Sequence, residues 1–362
     1  MAQPLDREQV LSDTRQVRRQ HRFDVTRLGN YLAERLKGFV PPLRVRQFSG
    51  GQSNPTYQLI TPMRNYVLRR KPPGQLLASA HAVDREYRMI SALHPTGFPV
   101  PQPYLLCEDQ SVIGTIFYVM EHVEGRIYWE PILPNQTPQQ RHAIYDAMNA
   151  TLARLHNLDW RALGLEGFGK PGNYVGRQIA RWTKQYKASE TEHIIEMEKL
   201  IEWLPHHLPD SPRDAVVHGD YRLDNVIFHP SEPRVLAVID WELCTIGDPI
   251  ADFSYHLMPW QTPNPASKTG MTLLDADLPE LGVPSMDEYT AWYLARTRRK
   301  RPPQLEYYAA YNFFRLAGIL QGIVGRVRDG TAANSRAAEN VSRVRPLAER
   351  GWHYALRAGA PG

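Results

Sequence analysis

Cysteine is nearly absent: Cys107 and Cys244 are the only two in 362 residues. That excludes a disulfide scaffold and a four-cysteine zinc site, and the pair is expected as reduced thiols in a cytoplasmic protein. Long apolar runs are missing too. The most apolar long stretch, Tyr311 to Val327, is broken by Asn312, Arg315, Gln321 and Arg326, so it reads as a buried helix and not as a membrane span. No apolar segment follows the basic run Arg18, Arg19, His21 and Arg22, which argues against a secretory signal and for a solvated N-terminal arm. Zinc-finger spacing and RRM-like aromatic signatures are also lacking. The formal charge of +5 therefore implies a mildly basic surface and no nucleic-acid partner.

What is present is an ordinary globular composition, 42% hydrophobic and 22% charged, in a chain longer than one compact core usually is. Two lobes are expected. The β-prone runs Leu43–Phe48, Thr56–Ile60 and Tyr66–Arg70, separated by turn-rich segments, predict an antiparallel meander. Val83, Tyr87, Ile90 and Leu93 give Ala82–Leu93 helical spacing, and Thr115–Met120 is apolar enough for a central strand. After Glu124–Gly125 the pattern lengthens to helices over Pro138–Leu155, Tyr174–Tyr186, Thr191–Trp203, Met286–Thr297, Gln304–Val327 and Ala332–Leu356. Within this helical part, Val226–Phe228 and Val235–Ile239 predict a small hairpin. The expected fold class is α+β: an N-terminal arm over 1–22, an antiparallel-sheet N-lobe over 23–122 and a mainly helical C-lobe over 123–362, with the active site in the cleft.

Chemistry concentrates in His218-Gly219-Asp220-Tyr221-Arg222-Leu223-Asp224-Asn225 and Val238-Ile239-Asp240-Trp241-Glu242. An acid and an amide five positions apart on one loop, with a second acid after the next strand, can converge on a metal–phosphate centre. Phosphoryl transfer needs positioning, charge neutralisation and a group that orients the attacking hydroxyl. Hard oxygen ligands suit Mg²⁺. His218 is expected to pack and bond against the loop backbone, and Glu242 is either a metal partner or a solvated carboxylate. The competing reading, a turn whose Asp and Asn bond their own backbone, does not account for Asp240, Asp248 and Asp252 following in order.

HGDYRLDN, IDWE and Gly247-Asp248-Pro249-Ile250-Ala251-Asp252-Phe253 resemble the aminoglycoside phosphotransferase and choline kinase superfamily. The resemblance implies a protein-kinase-like two-lobe fold and phosphoryl transfer from ATP with Mg²⁺ to a small-molecule hydroxyl. It implies Asp220 as catalytic base or hydroxyl-orienting residue, Asn225 and Asp240 as magnesium ligands, and Asp252 as an acceptor of catalytic-loop amides. In the N-lobe, Gly50, Gly51 and Ser53 lie in a turn that permits close approach to phosphates. The strand period places Arg69 with Val67 on one face, which makes Arg69 the candidate for the nucleotide phosphates, ahead of Arg70 and Lys71, and Glu86 its ion-pair partner. The backbone of Tyr118–Val123, at Glu121 and Val123, is the candidate for adenine. Gly164–Lys170 follows a Walker A pattern only until Pro171 replaces its hydroxyl.

Tyr66–Gly74, Ala80–Tyr87, Gly169–Tyr174 and Gln178–Trp182 resemble one branch in particular, the phosphotransferase domain fused to or encoded beside acyl-CoA dehydrogenases, from about Phe23 onward. That branch implies a hydroxy acid or hydroxyacyl-CoA acceptor. Independently, residues 258–362 hold 14 basic and 9 acidic residues, a balance that favours a neutral or anionic acceptor over a polycationic one. Arg298–Arg301 supplies four of those charges and reads equally as a solvated run. Two alternatives stay open: an aminoglycoside- or macrolide-type antibiotic kinase, and a nucleotide-binding regulatory pseudokinase. ATP and GTP are not distinguished by these motifs.

Overall fold

The computed structural model describes residues 14–49, 54–72, 82–210, 213–263, 272–300, 304–328 and 341–362. They fall into two compact units, Met1–Trp129 with Arg222–Cys244, and Glu130–Tyr221 with Thr245–Gly362.

The first unit is built on six antiparallel strands: β1 Thr14–Arg15, β2 Arg44–Phe48, β3 Thr56–Ile60, β4 Asn65–Arg70, β5 Pro103–Cys107 and β6 Phe117–Glu121, in the order β1-β2-β3-β4-β6-β5. β4 is central, and the side-chain period of two divides it between two faces. Tyr66 and Leu68 join Tyr57, Leu59, Phe117 and Val119 in a core closed by Leu28 and Leu32 of helix α1, Val25–Arg35. Arg70 faces the same way, and its guanidinium donates to Tyr57 Oη, Ile113 O and His21 O, each at 3.1 Å. These bonds make Arg70 a structural residue. In the described part of the N-terminal arm Thr14 and Arg15 pair with Phe48 and Gln47 and His21 O accepts from both Arg70 and Tyr57, while Arg18, Arg19 and Arg22 are exposed. Val67 and Arg69 face the other way. Helix α2, Val83–Leu93, buries Glu86, Met89, Ile90 and Leu93. The hairpin Val226–Phe228/Val235–Val238 joins this unit through Val238 N–H on Pro99 O and Arg126 N–H on Phe228 O, both at 2.8 Å.

The second unit is mainly helical: α3 Pro138–Asn157, α4 Tyr174–Ser189, α5 Ile195–Trp203, α6 Pro249–His256, α7 Met286–Thr297, α8 Leu305–Arg328 and α9 Val341–Arg357. Thr137/Gln140 and Ser285/Glu288 form capping boxes that start α3 and α7 by satisfying their first amides. α8 is sheathed by α4 and α9 and buries Tyr307 to Phe314 almost completely. Among the described residues no helix is long and apolar enough to cross a membrane. The strands Ala215–Val217 and Thr245–Gly247 pair antiparallel, so the residues that follow each, His218–Tyr221 and α6, start from a common two-stranded base.

Candidate active site

In the second unit the chain leaves Val217 into His218-Gly219-Asp220-Tyr221. Gly219 sits at φ +83°, where a side chain would be strained. Side chains from other elements bind the loop's polar groups. Asp252, buried on α6, accepts the His218 amide on Oδ2 at 2.8 Å and the Gly219 amide on Oδ1 at 2.9 Å. Burial would raise the Asp252 carboxyl, but the His156 ring and the loop amide hold it below its usual range. His156 Nε2 lies 3.2 Å from Asp252 Oδ2, and its Nδ1 lies 2.7 Å from Tyr293 Oη. The Gly219 carbonyl accepts from Arg315 Nη2 at 2.7 Å. The Asp220 amide donates to His218 Nδ1 at 3.2 Å, so that nitrogen carries no proton and His218 bonds the loop as expected.

Two further α6 residues complete the frame. Tyr255 Oη donates to Asp220 Oδ1 at 2.8 Å. His256 Nδ1 lies 3.2 Å from Tyr221 O and its Nε2 lies 2.7 Å from Tyr289 Oη. Burial lowers the His256 pKa to about 4, leaving a neutral ring at pH 7. A carbonyl only accepts, so Nδ1 carries the proton and Nε2 accepts from Tyr289. Asp252, Tyr255 and His256 are spaced i, i+3, i+4 and therefore share one helix face. Asp248 caps α6, accepting from the Ile250 amide at 2.8 Å and from Tyr308 Oη at 2.5 Å.

In the first unit Arg69 lies among three carboxylates. Its Nε is 2.8 Å from Glu86 Oε2, with the N–H pointing off that line, and its Nη2 is 2.5 Å from Asp240 Oδ1 and 3.6 Å from Glu242 Oε2. Burial alone would lower the guanidinium's pKa, but Asp240 and Glu86 outweigh it and hold it well above its ordinary value. Burial raises the Glu86 carboxyl against the pull of Arg69. Glu86 also accepts from Asn54 Nδ2 at 2.8 Å and from Tyr118 Oη at 3.0 Å. Tyr118 stands opposite Arg69 in the β4–β6 register. Asn54 Nδ2 reaches Glu242 Oε2 at 3.3 Å as well.

Asp240 has φ +65°, a left-handed conformation that Asp tolerates better than most residues and that clusters at functional sites. Asn225 is buried, and its carbonyl accepts the Ile239 amide at 3.0 Å, so Asn225 and Asp240 belong to the same end of the hairpin. Asn225, Asp240 and Glu242 carry oxygen atoms of the kind a hard divalent cation takes, and in this structure the carboxylates of Asp240 and Glu242, with that of Glu86, are turned on Arg69.

The remaining sequence candidates divide as follows. Glu121 ends β6, with its amide on Gln102 O at 2.9 Å and its exposed carboxylate on the Gln102 amide at 3.1 Å. Val123 is half-buried just beyond that strand. Gly50, Gly51 and Ser53 lie outside the described residues. The chain passes from the second unit to the first between Tyr221 and Arg222, so Asp220 is held by the second unit and Asn225 by the first. Sequence reasoning gave no role to Asn54, Tyr118, His156, Tyr255, His256 or Arg315. The i, i+3, i+4 relation of Tyr255 and His256 to Asp252 was an available signal.

The profile of the phosphotransferase enzyme family, APH, matches residues 44–289. The chain is 46% identical over 318 residues to acyl-CoA dehydrogenase family member 10 of Mus musculus, covering 88% of this chain and 30% of that protein. It is 45% identical over 350 residues to acyl-CoA dehydrogenase family member 11 of Gallus gallus, covering 95% of this chain and 45% of that protein. The chain thus spans less than half the length of these curated relatives. A crystal structure from Ralstonia eutropha, assigned by name to the aminoglycoside phosphotransferases, is 49% identical with a TM-score of 0.84, covering 93% of this chain and 99% of that one. Spectinomycin phosphotransferase APH(9)-Ia, in complex with ADP and spectinomycin, shares the fold at 11% identity and a TM-score of 0.60, with 91% and 98% of the two chains covered. With the family profile matching residues 44–289, more than half of this chain, and the Ralstonia eutropha relative covered almost end to end, the chain belongs to the APH phosphotransferase enzyme family.

Proposed function

We propose that this phosphotransferase moves the γ-phosphoryl group of ATP to a hydroxyl of a small molecule. Asp220 orients the acceptor hydroxyl and takes its proton as the new P–O bond forms and the bond to ADP breaks. Asn225 and Asp240 would hold Mg²⁺, which when bound neutralises charge on the phosphate oxygens. Arg69 binds phosphate oxygens with its planar guanidinium, and Glu86 keeps that side chain aimed. The backbone at Glu121 and Val123 is assigned to adenine, and Gly50, Gly51 and Ser53 to the phosphates on sequence grounds. The observation that carries this reading is the Glu86–Arg69–Asp240 chain of ion pairs: a strand cation, a helix carboxylate and a hairpin-end carboxylate meet, as a phosphate- and metal-handling centre requires.

For the acceptor, we favour an anionic hydroxy compound, a hydroxy acid or hydroxyacyl-CoA ester. The basic balance of residues 258–362 and the names of the relatives at 46% and 45% identity support it. The test is ADP formation from MgATP over a panel of hydroxy acids, hydroxyacyl-CoA esters, choline-like alcohols, aminoglycosides and macrolides. Turnover on the hydroxyacyl compounds is expected. Turnover confined to aminoglycosides would overturn the acceptor assignment, and saturable ATP binding without turnover on any member would favour a regulatory module.

A further inference from the structure

Asp220 is only as effective a base as its carboxylate is well oriented, since misplacing a reacting group by a fraction of a hydrogen-bond length is enough to slow transfer. The loop's glycine gives the backbone no stiffness of its own at φ +83°. Rigidity has to come from outside, and two side chains the motifs do not include supply it on the Asp220 side.

We propose that Tyr255 and Arg315 act as a coupled pair of positioning residues for Asp220; the inference rests on the reading of Asp220 as the base. Tyr255 donates its hydroxyl to Asp220 Oδ1 at 2.8 Å, which fixes the plane of the carboxylate. Arg315 donates to the Gly219 carbonyl at 2.7 Å, which fixes the peptide immediately before Asp220. The two are joined: the Arg315 guanidinium lies 4.8 Å from the Tyr255 ring centroid, within cation–π range. Arg315 is 6% exposed and is the only charged residue of α8 between Glu306 and Arg326. Burying a guanidinium in an apolar helix is costly unless its bonds are good, and here the bond it makes is to the catalytic loop, 96 positions away in sequence. A cation that served only the packing of α8 would not need to end on a carbonyl beside the base.

The pair predicts a split between turnover and binding. Tyr255→Phe keeps the ring for Arg315 and removes the donor to Asp220. It should lower kcat for ADP release from MgATP about tenfold, with water as the acceptor and with any acceptor that turns over, while KM for ATP and Tm stay within error. Arg315→Lys keeps the charge but loses the planar fork, and should also lower kcat about tenfold. The double variant should fall well short of the hundredfold product, because residues acting as a unit are not additive. Asp220→Asn is measured alongside. If it abolishes release while Tyr255→Phe leaves kcat within twofold of wild type, the pair is not positioning Asp220 and this inference fails with the underlying reading intact. A Tyr255→Phe loss that appears in KM or Tm in place of kcat likewise overturns it. Release that is unaffected by Asp220→Asn contradicts the underlying reading instead. Should Arg315→Lys fail to fold, Tyr255→Phe decides by itself.

Discussion

Replacing Arg69 by methionine removes the guanidinium that stands among Glu86, Asp240 and Glu242 while keeping most of the side chain's volume. The Asp240 and Glu242 side chains are 29% and 22% exposed, so solvent screens their loss, but the Glu86 side chain is 1% exposed. Removing one partner of a buried ion pair costs about 3–5 kcal/mol. Because Glu86 keeps its bonds from Asn54 and Tyr118, the low end applies, about 3 kcal/mol. At roughly 2–4 °C per kcal/mol for a unit of this size, Tm should fall by about 6–12 °C. The loss should depend on pH with a definite sign. Burial already raises the Glu86 carboxyl, with Arg69 opposing, and without Arg69 it rises further. A raised carboxyl favours the folded state below its unfolded pKa and loses that favour as pH rises through the folded one. The deficit of Arg69→Met should therefore be smaller at pH 5 than at pH 8, and adding Glu86→Gln should recover most of it at pH 8. Thermal unfolding followed by circular dichroism at the two pH values reads all of this. A loss below about 1 kcal/mol at pH 8, or a loss equal at both pH values with no recovery in the double variant, refutes the reasoning.

Three further outcomes follow from the second unit. The depressed pKa of His256, about 4 against an ordinary 6.5, means that the unfolded chain takes up a proton between those values while the folded chain does not. Stability should fall by up to about 3 kcal/mol as pH drops through that window, and His256→Gln should flatten this part of the urea-denaturation profile. Asp252 is held below its usual range, so it contributes stability above the unfolded carboxylate pKa and loses it as pH falls through the folded one; Asp252→Asn should remove that acid-side slope and lower kcat about tenfold by loosening the loop amides. At Gly247 an added Cβ would lie 2.5 Å from the Tyr174 ring, so Gly247→Ala should destabilise by about 1–3 kcal/mol in the same denaturation assay.

Much of the first unit was legible because strand alternation is a local signal. Thr56–Ile60 appears at the expected bounds, and β4 gains only Asn65. The same alternation favoured Arg69 over Arg70, and the structure gives Arg70 to Tyr57, Ile113 and His21. Elements without a local signal escaped. β5 opens on Pro103 and runs Tyr-Leu-Leu-Cys with no alternation, and Ala215–Val217 and Thr245–Gly247 are three residues each; such strands exist only through their partners. α6 is eight residues long, below the span over which periodicity can be read. Leu28, Leu32 and Leu36, the buried face of α1 and its cap, follow directly on the basic run Arg18–Arg22 in a segment too polar overall for its short apolar stripe to stand out. At the site, order and spacing singled out Asp220, Asn225, Asp240 and Asp252 as candidates, because those residues are contiguous in sequence with their motifs. Arg315 reads in sequence only as a charge that interrupts an apolar run. Its bond to Gly219 is a tertiary fact, as are those of His156 and Tyr255.

The most direct test of the account is the comparison of wild type and Asp220→Asn for MgATP binding and ADP formation on the same preparations. Asn keeps the size of the side chain and can still accept from Tyr255, but it cannot take a proton from a hydroxyl. The account expects unchanged Tm and nucleotide affinity with turnover reduced by at least about 100-fold. Turnover within a few-fold of wild type would contradict it, since no phosphoryl transfer based on Asp220 survives that result.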